Sequence, residues 1–186
     1  MKSFIQTDCK SVVFDMDNTL YDEANFFKKV IDELAIQEDI KFHIDLNYKK
    51  LLNLRLKSKD IFYDILSTDD SLNRKDILIL KDKLFNLAVN HEFKISPYDD
   101  LIPFLEYLSE LKINKYILTN GVPAIQKNKF KSLSLKDFFG TNFYSAREIG
   151  CGSEKPEVEV FQRMLDITGN KNHEVLFIGD NPKTDF

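Results

Sequence analysis

Asp15-Met16-Asp17-Asn18-Thr19 puts two carboxylates two positions apart, directly after the apolar run in Lys10–Asp15, KSVVFD. Like charges this close repel unless a cation or a shared proton relieves them. One carboxylate could attack an electrophile while the other serves as acid and base. A solvated turn, where Asp and Asn are common, accounts for the same residues. Three further groups have the same ambiguity. Gly179-Asp180-Asn181-Pro182-Lys183-Thr184-Asp185 again places two acids after an apolar run, Leu118-Thr119-Asn120-Gly121 places a hydroxyl at the end of another, and Lys155-Pro156 puts a lysine at a helix start. Alone, each reads as ordinary turn or surface chemistry. Taken together, the acids suit a hard cation such as Mg²⁺. The hydroxyl, free backbone N–H groups and the lysine suit a phosphate.

Such a set works only if the chain brings it together. The runs around Val12-Val13-Phe14, Tyr116-Ile117-Leu118, Asn142–Ser145 and Val175–Ile178 are short and do not alternate, as expected of strands buried on both faces. Between them lie amphipathic helical patterns. The first carries Leu101, Phe104, Leu105, Leu108 and Leu111 on one face, with Asp99 or Asp100 as N-cap. The second runs from Pro123 to about Leu133, and the third from Pro156 to about Ile167. Strands alternating with crossover helices predict an α/β fold, a doubly wound parallel Rossmann-like sheet. Ligands bind such sheets outside the carboxyl ends of the strands. Asp15, Thr119 and Asp180 fall at or just beyond three of those ends. The segment from about Tyr21 to Ile95 differs. It has no Pro or Gly, and its apolar residues recur at helical spacing, which predicts an inserted all-α domain of three to five helices over 21–96. The core is then 1–20 with 97–186.

Composition bounds the function. The 186 residues are 43% hydrophobic and 30% charged, which excludes disordered and low-complexity classes. A net charge of −4 argues against a nucleic-acid polymer as partner. No run approaches the ~18 apolar residues that cross a membrane. Cys9 and Cys151 are far apart and form no CxxC, so a disulfide scaffold is not expected and a reducing cytoplasm is the default setting. Cys151, in Gly150-Cys151-Gly152, reads as an inert thiol, and His43, His91 and His173 have no mutual spacing for a metal.

The four groups, in this order, resemble the haloacid dehalogenase-like (HAD) hydrolase superfamily. VVFDMDNTLYDE is similar to its first motif, ILTNG to its second, EKPEVEVF to its third and FIGDNPKTD to its fourth. The helical insert resembles the small cap of the family's first subgroup. This resemblance implies a phosphatase, with Asp15 as nucleophile forming an aspartyl-phosphate. Asp17 would protonate the leaving alcohol and then activate water. Mg²⁺ would be held by Asp15, Asp180 and the Asp17 backbone carbonyl, with Asp185 positioning it. Thr119 and the Asn120 N–H would bind phosphoryl oxygens, and Lys155 would offset their charge. An acid at Asp17 favours phosphate esters over the dehalogenase reaction, because a departing halide needs no proton.

The resemblance also implies a substrate: a small phosphorylated metabolite, either a sugar phosphate or a nucleoside monophosphate. The chain would act as a monomer or homodimer. Tyr21, Asp22, Asn25 and Phe26, with Gly121 and Val122 opposite, are the candidates for substrate selection. Packing is the competing reading for each. Family members usually continue for another helix and a fifth strand beyond the position of Asp185. A C-terminally truncated core is therefore expected, and a catalytically impaired phosphate-binding fragment is the alternative.

Overall fold

The computed structural model describes residues 8–55, 60–150 and 152–185, with nothing stated of the Arg55 side chain; Cys151 and Phe186 lie outside this set. The chain divides into two compact units, Met1–Tyr21 with Ser96–Phe186, and Asp22–Ile95.

Four parallel strands build the first unit: β1 (Ser11–Phe14), β2 (Asn114–Thr119), β3 (Phe143–Ser145) and β4 (Val175–Ile178), in the order β3-β2-β1-β4. β1 is central and buried along its whole length, which is why its residues run apolar without alternation. Phe14 pairs in register with Ile117 on one side and Ile178 on the other, and the Asp15 N–H extends the ladder to the Ile178 carbonyl at 2.8 Å. The acid after β1 therefore starts from a fixed backbone. Val13, Tyr116, Leu118, Ala146, Val160 and Met164 form a core cluster in this unit.

Its helices are α5 (Leu101–Glu110), α6 (Pro123–Leu133), α7 (Lys136–Phe139), α8 (Ala146–Ile149) and α9 (Val158–Thr168). Pro123 opens α6, where its missing N–H costs nothing. The helix ends differ in detail from the sequence pattern. Asp100 is the α5 N-cap residue, as expected, although its side chain makes no capping bond. Leu111 lies past the end of α5 and is exposed. α9 begins at Val158, because Pro156 is spent in the turn after Lys155. The four-residue helices α7 and α8 were not anticipated, being shorter than a helical period can reveal.

The second unit holds α1 (Glu23–Glu38), α2 (Tyr48–Arg55), α3 (Ile61–Leu66) and α4 (Arg74–Asn90). Asp22, Asp60 and Asn73 cap α1, α3 and α4 through side-chain acceptors, which satisfies N–H groups the helices leave unpaired. Edge-to-face contacts run through the unit from Phe93 to Phe26, Phe27, Phe62 and Phe85, at ring separations of 5.6 to 6.1 Å. No described helix is long and apolar enough to cross a membrane.

Phe14 is 1% exposed and meets Phe104 and Phe139 edge-on, at 6.1 and 5.8 Å. Phe14→Ala should lower unfolding stability by about 3–5 kcal/mol in urea titrations, because no neighbour can fill a cavity inside a central strand. A loss below ~1 kcal/mol would show that this core is not close-packed.

Candidate active site

Both buried acids of the first motif leave β1 at its carboxyl end. Asp15 is 7% exposed and Asp17 8% exposed. They face different partners.

Asp15 belongs to a cluster with Asp180 and Asp185, in which one oxygen from each carboxylate lies within 4.8 Å of the other two. Lys155, 3% exposed, donates Nζ to Asp15 Oδ1 and to Asp185 Oδ1, each at 2.6 Å. Asp185 is held in turn by the Asn181 N–H, which donates to its Oδ2 at 3.0 Å. Gly179 has to be glycine at this point, because a Cβ there would overlap the Asp185 carboxylate. Lys155 itself is fixed through its backbone. The Lys155 N–H donates to Asn120 Oδ1 and Asn120 Nδ2 donates to the Lys155 carbonyl, both at 2.9 Å. The side chain of Asn120, expected to serve through its backbone N–H, is thus the clamp that seats the lysine. Gly121, with φ +104°, turns its N–H to Glu154 Oε1 at 2.7 Å, and Glu154 also accepts from Arg147.

Asp17 heads a second cluster. Tyr21 Oη donates to its Oδ1 at 2.6 Å, Gln126 Nε2 to its Oδ2 at 2.9 Å, and Lys129 Nζ to both oxygens at 2.9 and 3.0 Å. The same Gln126 nitrogen donates to Thr119 Oγ1 at 2.6 Å. Tyr21, a candidate for substrate selection, is fully buried and donates to Asp17. Phe26, another candidate, is fully buried and packs on Phe27 and Phe93 in its own unit, and Asn25 is exposed on α1. Gln126 and Lys129 were not singled out from the sequence.

The electrostatics follow from crowding. Burial pushes the Asp15 carboxyl up to about 7 against the opposing pull of Lys155, and the negative charges of Asp17 and Asp185 add to the rise. Burial also raises Asp180, with Asp185 as the next cause. The all-oxygen donor set of Asp15, Asp180 and Asp185 fits a hard dication such as Mg²⁺.

A sequence profile described as haloacid dehalogenase-like hydrolase matches residues 9–186. The chain belongs to that family. It is a hydrolase, and its curated relatives are named as phosphatases. The glyceraldehyde 3-phosphate phosphatase of Methanocaldococcus jannaschii is 26% identical over 95% of this chain and 78% of its own. The protein of the same name from Methanopyrus kandleri is 28% identical over 92% and 75%. Among solved structures, the HAD-hydrolase YfnB of Bacillus subtilis, crystallised with magnesium, superposes with a TM-score of 0.69 at 20% identity, over 95% of this chain and 80% of its own. A HAD family hydrolase of Deinococcus radiodurans, with bound phosphate and sodium, gives 0.68 at 16% identity, over 96% and 75%. These two share the fold.

Folded Asp15 holds its proton more tightly than the unfolded chain does, so stability from this group is lost as pH rises from the ordinary carboxylate range through about 7. Without divalent cations, Asp15→Asn should melt roughly 5 °C above the parent at about pH 7.5, and the gap should close near pH 4. Melting curves that differ equally at both pH values would contradict this.

Proposed function

We propose that this chain is a Mg²⁺-dependent phosphatase of the cytoplasm, monomeric or homodimeric, that hydrolyses a small phosphorylated metabolite through an aspartyl-phosphate on Asp15. The observation that carries this reading is the convergence of Asp15, Asp180 and Asp185 on one point beside a buried lysine.

The chemistry follows from the side chains. A carboxylate oxygen of Asp15 attacks phosphorus, and the bond from phosphorus to the ester oxygen breaks. Asp17 gives its proton to the departing alkoxide. It then takes a proton from water, which attacks the acyl phosphate, releasing inorganic phosphate and restoring Asp15. The Thr119 hydroxyl donates to a phosphoryl oxygen and Lys155 offsets its charge. Asp15, Asp180 and Asp185, with the Asp17 backbone carbonyl, would hold the metal, which supplies the positive charge that lets an anionic nucleophile meet an anionic ester. An acid at Asp17 fits an alkoxide leaving group, which needs a proton, better than a halide, which does not.

The helical unit Asp22–Ile95 is assigned here the role of a cap that selects the organic half. The curated relatives named for glyceraldehyde 3-phosphate support a three-carbon sugar phosphate as the first substrate to test, ahead of larger sugar phosphates and nucleoside monophosphates.

A panel of phosphorylated metabolites, followed by phosphate release, tests the proposal. Hydrolysis should require Mg²⁺, cease with a chelator, and fall at least ~10³-fold in Asp15→Asn. Asp17→Asn should lower turnover by roughly 10²–10⁴-fold while leaving KM within about threefold. Wild-type turnover in Asp15→Asn under saturating Mg²⁺ would overturn the assignment.

A further inference from the structure

The reaction scheme above gives no role to the fully buried lysine of α6. Lys129 is 1% exposed, and an ammonium is costly to bury unless it is paired. Its Nζ spans both oxygens of Asp17, at 2.9 and 3.0 Å. Gln126, one helical turn earlier, reaches Asp17 Oδ2, and Tyr21 reaches Oδ1 from the other direction. Both oxygens are therefore held, and by donors from two separate segments of the chain.

We propose that Lys129, Gln126 and Tyr21 are positioning residues that set the orientation from which Asp17 transfers its proton; this rests on the phosphatase reading above. A carboxyl tethered only through its Cβ turns freely about χ1 and χ2, and proton transfer requires one placement within hydrogen-bond reach of the ester oxygen. Donors on both oxygens remove that freedom.

Gln126 extends the arrangement to the phosphate side. Gln126 presents its amide nitrogen to Asp17 Oδ2. That nitrogen also contacts Thr119 Oγ1 at 2.6 Å, so the hydroxyl oxygen accepts there and its own proton is directed elsewhere. The Thr119 O–H contact to the Asn120 carbonyl is long, at 3.3 Å, and leaves this proton available to a phosphoryl oxygen. One amide thus fixes the proton-handling acid and the polarity of the phosphate-binding hydroxyl.

The leaving group separates positioning from mere support. An aryl phosphate expels a phenolate that needs little proton donation, whereas an alkyl phosphate expels an alkoxide that needs it. Values of kcat/KM for 4-nitrophenyl phosphate and for a three-carbon alkyl phosphate are to be measured in the parent, Asp15→Asn, Tyr21→Phe and Lys129→Met, with a melting curve for each. Tyr21→Phe and Lys129→Met should lose about 10-fold or more on the alkyl ester and about threefold or less on the aryl ester. Equal losses on both esters, or no loss on either, would overturn the positioning role and leave the phosphatase reading standing. If the parent showed no hydrolysis that depends on Asp15, the phosphatase reading would fail and the positioning role with it. Should Lys129→Met not fold, Tyr21→Phe decides alone, since it removes one hydroxyl and keeps the ring.

Discussion

Repulsion among carboxylates governs this molecule. Asp15, Asp17, Asp180 and Asp185 are brought to one end of a parallel sheet, and three of them, Asp15, Asp17 and Asp185, are buried there, where like charges are poorly screened. Two lysines answer part of that charge. Lys155 binds Asp15 and Asp185, and Lys129 binds Asp17. Burial pushes Asp15 up to about 7 against the pull of Lys155, and the negative charges of Asp17 and Asp185 add to the rise. A structure that keeps such a deficit in its interior is suited to a ligand that brings positive charge.

The sheet makes this crowding possible. β1 lies between β2 and β4, and the register sets Phe14 beside Ile117 and Ile178, so β1 and β4 end together while β2 runs on to Thr119. Each chain segment that leaves those ends starts from a backbone fixed by ladder bonds and by close-packed aromatic rings. The two lysines come from elsewhere. Lys155 is seated by the side chain of Asn120, directly after β2, and Lys129 by α6, the helix that follows. The loop after β2 thus helps to place the acids after β1, although more than a hundred residues separate them in the chain.

Much of this is legible in the residues. The unbroken apolar runs at Val12-Val13-Phe14 and Tyr116-Ile117-Leu118 mark buried parallel strands, and polar residues at their ends mark the face where chemistry gathers. Asp15, Asp17, Thr119, Lys155, Asp180 and Asp185 stand out because their types are costly beside such strands. Gln126 and Lys129 do not stand out, because lysine and glutamine are ordinary on a helix surface. A usable signal was present: Lys129 lies four residues from both Ile125 and Leu133, inside the apolar stripe of α6 rather than opposite it. The second role of Asn120 is hidden for another reason. Its backbone N–H is what a phosphate would use, and only three-dimensional proximity shows that its side chain spans to Lys155, 35 positions away. Tyr21 and Phe26 have the composition of a binding surface, but their burial goes to Asp17 and to aromatic packing.

Whether the unanswered charge is matched by a dication can be read without any substrate. Calorimetric titration of the metal-free protein with Mg²⁺ should show one ion bound per chain, with affinity at least ~10-fold weaker when Asp180 is replaced by Asn. Absence of binding, or equal affinity in the parent and Asp180→Asn, would contradict the convergence of these acids on a shared cation.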